Sequence, residues 1–234
     1  MPHYWPGIVV SSTDVTSFYR GRLSVGNAQL LARIQALWDQ VFDPKDPAGT
    51  LPQIGTIVGR WITGAQAGAA AEATRYLAGL ISAQTGIPLA AIEPFAIPPG
   101  LVGSTASGST MLRYIGQAPA VYFNRIGQGM NNDMAAASTL SFLNSSAASE
   151  PYRVANGTVN HNATKDKRYT GRCKRIIRAT ACPFCVMIAD RGYIPSHADF
   201  QAHAHCRCTA EPRISSYATS KSAVRRGRVA IEGN

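Results

Sequence analysis

From Thr13 to about Gly127 the apolar residues recur at intervals of three and four rather than alternating, the period of helices that bury one face. Val25, Leu30, Leu31, Ile34, Leu37, Trp38 and Phe42 form one such stripe. A longer one passes through Ile54, Ile57, Val58, Trp61, Ile62, Ala65, Ala69, Ala73, Tyr76, Leu77, Leu80 and Ile81, and Gly86 and Pro88 stop it. The stretch 88–109, with its run Ile97-Pro98-Pro99-Gly100, reads as a loop crossing between helical blocks. Met111, Leu112, Tyr114, Ile115, Val121, Tyr122 and Phe123 resume a helical face, which Pro119 should kink. A further helix is expected from about Asn132 to Ala148, its small residues between Met134 and Thr139 allowing close packing.

Beyond about Val159 the texture changes. Basic residues crowd in, and Arg175 to Ala179 and Cys206 to Pro212 have the short mixed pattern of brief strands. The expectation is an α+β chain with a helical domain over 1–155, a small basic Cys/His subdomain over 156–214, and a flexible basic tail over 215–234. No fixed-period repeat argues for a solenoid. The three tryptophans Trp5, Trp38 and Trp61 are expected in the core.

Charge sharpens this division. The net charge of +10 is concentrated: residues 1–164 hold nine Lys/Arg against eight Asp/Glu, whereas 165–234 hold fourteen against five. Such density suits a polyanion, either packaged nucleic acid or an acidic protein surface, although a basic face that simply meets solvent is the bland alternative. The chain opens without a basic leader and apolar core, and no stretch approaches the roughly 18 apolar residues of a membrane span, so a product made in the cytoplasm with no membrane partner is expected. The sequons at Asn144, Asn156 and Asn162 are then chance matches.

All five cysteines lie between Cys173 and Cys208. Cys182-Pro183-Phe184-Cys185 presents two thiols on one turn, and His203, His205, Cys206 and Cys208 cluster some 20 residues later, a spacing that can close a tetrahedron of soft ligands around zinc. The set Cys182, Cys185, His203 and Cys206 has two-residue spacers in both halves, and Cys208 or His205 can replace a member of the second pair. A thioredoxin-like pair would leave the His/Cys cluster unexplained, and a disulfide staple belongs to an oxidising compartment. Clustered but merely buried cysteines are the remaining alternative. Cys173 stands apart as a small buried residue.

The order Ala181-Cys182-Pro183-Phe184-Cys185, then Val186 to Ala189, Asp190-Arg191-Gly192 and later His203-Ala204-His205-Cys206-Arg207-Cys208-Thr209 resembles the C-terminal signature of MuF-like phage head-morphogenesis proteins, in the form carried by phages of actinobacteria. The resemblance covers about 30 residues. It implies a minor capsid protein located in the virion, at the capsid interior or portal vertex, with the phage portal protein, the major capsid or scaffold protein and packaged DNA as partners. Some such proteins are called capsid maturation proteases, and their fold is sometimes compared with ADP-ribosyltransferases.

The residues weigh against catalysis. A transferase of that type would need a Glu-x-Glu pair, and Glu72, Glu93, Glu150, Glu211 and Glu232 are never two apart. A protease would need an activated nucleophile, for which Ser196-His197 supplies only the residue types, and Ser196 after Pro195 reads as a turn residue. A cysteine-dominated zinc site is usually closed and structural. The reading is therefore a head-assembly protein stapled by zinc, with Arg172, Lys174, Arg175, Arg178 and Arg207 displayed for contact with DNA or acidic partners. A maturation protease and a zinc-stabilised DNA-binding protein are the alternatives.

Overall fold

The computed structural model describes residues 11–196, 207–216 and 218. Three long helices carry the fold: α1 (Ser12–Val41), α2 (Pro47–Thr85) and α5 (Asn132–Lys165). Each starts on a side-chain cap that satisfies a first-turn amide: Ser11 with Asp14 in a reciprocal box, Asp46 on the amide of Gly49, and Asn131 on that of Met134. At its other end α2 stops at Gly86, whose φ of 72° is costly for any residue with a Cβ. Two short helices, α3 (Met111–Ile115) and α4 (Ala118–Gly127), sit between α2 and α5. Pro119 does more than kink this stretch: it stands in the first turn of α4, so the expected single helix is two. The chain then forms β1 (Tyr169–Ile176), α6 (Pro183–Ala189), β2 (Ile194–Pro195) and β3 (Thr209–Ile214). The three strands make an antiparallel sheet in the order β2-β1-β3, with Lys174 opposite Glu211 and Cys173 between Ile194 and Pro212. The α+β class is thus as expected, and the strands lie a few residues from where the sequence pattern placed them.

Two apolar clusters share the long helices as walls. One joins Leu30, Ile34 and Trp38 of α1 to Leu51, Ile54, Val58 and Ile62 of α2, Met111 and Ile115 of α3, Tyr122 of α4 and Leu143 of α5. The other joins Tyr19 and Leu23 to Tyr76, Leu77 and Leu80, to Tyr152, Ala155 and Val159, and to the sheet through Tyr169, Cys173 and Ala210. In α1 the buried positions are Thr16, Tyr19, Leu23, Asn27, Leu30, Ile34 and Trp38, spaced by threes and fours. Val25, assigned to that stripe from sequence, is 57% exposed. Trp38 is in the core as expected, whereas Trp61 is half-buried with the Arg33 guanidinium 4.3 Å above its ring, and Trp5 lies outside the described residues.

The helix expected to end at Ala148 continues to Lys165, so the expected boundary between the helical domain and the Cys/His subdomain, after residue 155, lies inside it. Pro151 is the reason sequence pattern ends it early. Proline cannot donate to the carbonyl four residues back, which is that of Ala147. The buried Asn27 side chain on α1 supplies the missing donor at 2.8 Å. No helix among the described residues is long and apolar enough to cross a membrane.

Candidate functional site

The cysteine-bearing segment packs against the sheet and the C-terminal half of α5. Cys182 is the N-cap of α6, and its Sγ accepts the amide of Cys185 at 3.4 Å. Pro183 fits the next position because the amide it lacks would have no helical acceptor. This turn carries two cysteines, with Cys185 buried and Cys182 half-exposed. The Nη1 of Arg175 lies 3.8 Å from the Cys185 Sγ.

Cys208 precedes β3 and is buried in the same apolar cluster as Cys173 and Cys185. Its position is fixed by Asn156 of α5, whose Nδ2 donates to the Cys208 carbonyl at 2.9 Å while its Oδ1 accepts the Ala210 amide at 2.9 Å. Asn162, two turns on, grips Ala96 in the same way, accepting its amide at 3.1 Å and donating to its carbonyl at 2.8 Å. Two of the three sequon asparagines are thus buried clamps that hold extended backbone against α5, a role that only the three-dimensional arrangement reveals.

Among the described residues no three His, Cys, Asp or Glu side chains gather closely enough to hold a metal ion. Of the expected ligands, Cys182, Cys185 and Cys208 are described, and His203 and Cys206, with His205, lie outside the described residues. The Cys182-Cys185 turn places two cysteines on one capped turn. Cys173 is buried on β1, as expected. Burial, reinforced by the Glu211 carboxylate, pushes its thiol up to about 12.

The five basic residues expected on one contact face are divided. Arg172 and Arg178 are exposed and Arg207 is half-buried. Lys174 is engaged by Glu211 at 2.7 Å, and it also lies over the Tyr193 ring at 5.5 Å. Arg175 is only 5% exposed and faces the cysteines, so it is not displayed to a partner: alternate residues of β1 turn inward, and Cys173 and Arg175 share the covered face.

Glu211 is a hub that sequence reading did not single out. Its carboxylate accepts from Lys174, from Thr16 of α1 at 3.1 Å and from the Tyr193 hydroxyl at 3.3 Å, joining α1 to the sheet. Ser196 is more than a turn residue. It is 4% exposed, its hydroxyl donates to the Gly171 carbonyl at 2.9 Å, and it lies 2.7 Å from the Thr164 hydroxyl. A serine held in this way ties β2 to β1 and α5, and this geometry does not present a nucleophile. His197 is outside the described residues.

Residues 122–225, somewhat less than half of the chain, match the family model described as VG15 protein, a phage-associated family. The matched stretch begins in α4 and takes in α5, the sheet and the whole cysteine-bearing segment. No curated protein and no solved structure matches the chain at a significant level. The match ties the C-terminal part of this chain to phage proteins.

Proposed function

We propose that the protein is a minor capsid component of a tailed phage that acts in head morphogenesis at the portal vertex or capsid interior, with a structural zinc holding its C-terminal segment together. The observation that carries the reading is the match to a phage-associated family across the part of the chain that contains the Cys182-Pro183-Phe184-Cys185 turn. The resemblance of that turn and of the segment from His203 to Thr209 to MuF-like proteins supplies the finer assignment, with the portal protein and the major capsid or scaffold protein as partners.

Cys182 and Cys185 would contribute two ligands, and His203 and Cys206, with Cys208 or His205 in place of one of them, the rest. Zinc in such a set would crosslink the turn that opens α6 to the chain that precedes β3. The chain's own residues prepare one half: the Cys182 sulfur accepts the amide of Cys185, Arg175 sets a positive charge beside Cys185, and Asn156 fixes Cys208 just before the neighbouring strand.

The test is genetic. In the phage that encodes the protein, a nonsense codon early in the gene is expected to lower the yield of filled, infectious heads by orders of magnitude, and mass spectrometry of purified wild-type virions is expected to find the protein. A normal yield of infectious particles together with absence from the virion overturns the reading.

A further inference from the structure

Four exposed glycines on α1 and α2 have no neighbour in the fold that explains them. A glycine inside a helix weakens it relative to alanine, so its presence there calls for a close approach. At Gly55 and Gly59 that approach is made by α3. A Cβ would stand 3.1 Å from the Ile115 carbonyl oxygen at the first and 3.1 Å from the Leu112 side chain at the second. At Gly21, Gly26, Gly64 and Gly68 a Cβ would meet nothing within 4 Å among the described residues. All four are exposed, and they line the seam where α1 and α2 run side by side. The seam holds two adjoining cavities of about 600 and 570 Å³, which share Gly26, Gln29 and Ala65.

The edges of the seam are apolar and cationic. Phe18, 71% exposed, and Val25 stand beside the first cavity, and Trp61 beside the second. Apolar side chains left in water along a groove mark an interaction surface. The buried Asn27 also lines the first cavity: its Nδ2 is committed to the Ala147 carbonyl, and among the described residues nothing donates to its Oδ1. A buried acceptor without a donor is costly, and an incoming polar group removes that cost. Arg22, Arg33, Arg60 and Arg75 line the seam, and Glu72 is the one carboxylate among the described residues there. Arg22 and Arg75 both reach Glu72 at 2.9 Å, so one negative charge answers four positive ones.

We infer that this seam, residues 18–33 of α1 against 60–75 of α2, is a docking groove for an acidic amphipathic helix of a partner protein. Its length is about 22 Å, four turns of such a helix. Glycines in the floor let another helix approach at backbone distance, and its apolar stripe would meet Phe18, Val25 and Trp61. Acidic residues flanking the stripe would meet the arginines. A second copy of this chain is a poorer occupant, because it brings the same four arginines and a net charge of +10 to the contact. A nucleic-acid duplex stacks its bases inside and offers no apolar stripe. The groove lies outside residues 122–225, and the inference does not depend on the head-assembly reading, since binding is measured on the purified chain.

The experiment is fluorescence anisotropy of a labelled synthetic helix of about 18 residues, with a leucine stripe flanked by glutamates, titrated with the full-length protein. Two further peptides replace glutamate by lysine or scatter the leucines around the helix at the same composition. The acidic amphipathic peptide is expected to bind, and each of the others at least tenfold more weakly. Gly64→Leu combined with Gly68→Leu fills the floor and is expected to weaken binding at least tenfold. Ala28→Leu combined with Ala67→Leu adds the same bulk at exposed positions that line neither cavity and should leave binding unchanged. Arg33→Gln combined with Arg60→Gln should weaken binding severalfold and flatten its dependence on salt. The glycine pair should melt no lower than wild type, since leucine favours a helix and has open space there. Should it unfold, Gly64→Ala with Gly68→Ala is the milder filling and is expected to weaken binding in the same direction. No binding by wild type, equal effects of the two leucine pairs, or equal affinity for the peptide with scattered leucines overturns the inference. Competition by a DNA duplex that is lost in the glycine pair assigns the groove to nucleic acid and overturns the helix part. A wild-type dimer in sedimentation that the glycine pair turns into a monomer assigns it to a second copy and does the same.

Discussion

The Asn27 side chain on α1 donates to the backbone carbonyl of Ala147 on α5, the one acceptor that Pro151 leaves without its helical donor. Asn27 is 4% exposed, so the bond forms away from water and both groups depend on it. This single contact explains how a helix with an internal proline runs 34 residues and joins the helical block to the sheet.

Asn27→Leu is therefore expected to destabilise the protein by about 1–3 kcal/mol, because the Ala147 carbonyl loses the donor that replaces the one Pro151 lacks. Pro151→Ala restores a helical donor, and in that background the same replacement should cost much less. Urea denaturation of the four proteins of this cycle measures the coupling, and additive effects would contradict the compensation.

Gln66 fastens the loop 100–110. Fully buried on α2, it donates to the Glu150 carboxylate and to the Ser104 carbonyl, both at 3.0 Å, and accepts the Gly103 amide at 2.8 Å, while Arg153 bonds to Glu150 and to the Ser104 carbonyl. Gln66→Leu strands the Gly103 amide, with an expected cost of about 1–3 kcal/mol for each buried group left without a partner. Proteolysis should then cut first within 100–110. An unchanged cleavage pattern and an unchanged melting temperature would show that the loop is held by other means.

Stability at high pH should report Cys173. Its thiol in the folded protein is pushed from 9.0 up to about 12. Between those values the unfolded chain loses the proton and the folded chain keeps it, so stability is complete below pH 9 and declines as pH rises toward 12, by up to about 1.4 kcal/mol per pH unit from this group. Burial raises Tyr19, Tyr76 and Tyr169 as well, in the same direction and above pH 10. Cys173→Ala should shallow the decline between pH 9 and 10. At pH 8 iodoacetamide should leave Cys173 unmodified in the folded protein and alkylate it in urea.

Ser196→Ala removes a hydroxyl bonded to Gly171 and adjacent to Thr164, with an expected loss of about 1 kcal/mol of stability and no change in the processing of capsid proteins. Gel analysis of heads made with this variant checks it. Loss of a processing step with the fold intact would revive the protease reading.

How much of this was legible in the sequence follows from what each element depends on. The stripe of α2 is local, and Ile54, Val58, Ile62, Ala73, Leu77 and Leu80 are buried where their spacing placed them. The far end of α5 was hidden because it rests on Asn27, 120 residues away, and a proline read locally ends a helix. The form of the cysteine turn was legible because it is local, two cysteines on one capped turn. The basic face was only partly so: charge can be counted along a chain, but pairing cannot, and Glu211 removes Lys174 while the inward pleat of β1 removes Arg175.

The most direct test of the account is the zinc content of the purified full-length protein, measured by elemental analysis for wild type, Cys182→Ser and Cys206→Ser. The account predicts about one zinc per chain in wild type, and loss of the metal together with a lowered melting temperature in both variants. Wild-type protein without metal, with thiols that react freely and with unchanged stability in the variants, would contradict it.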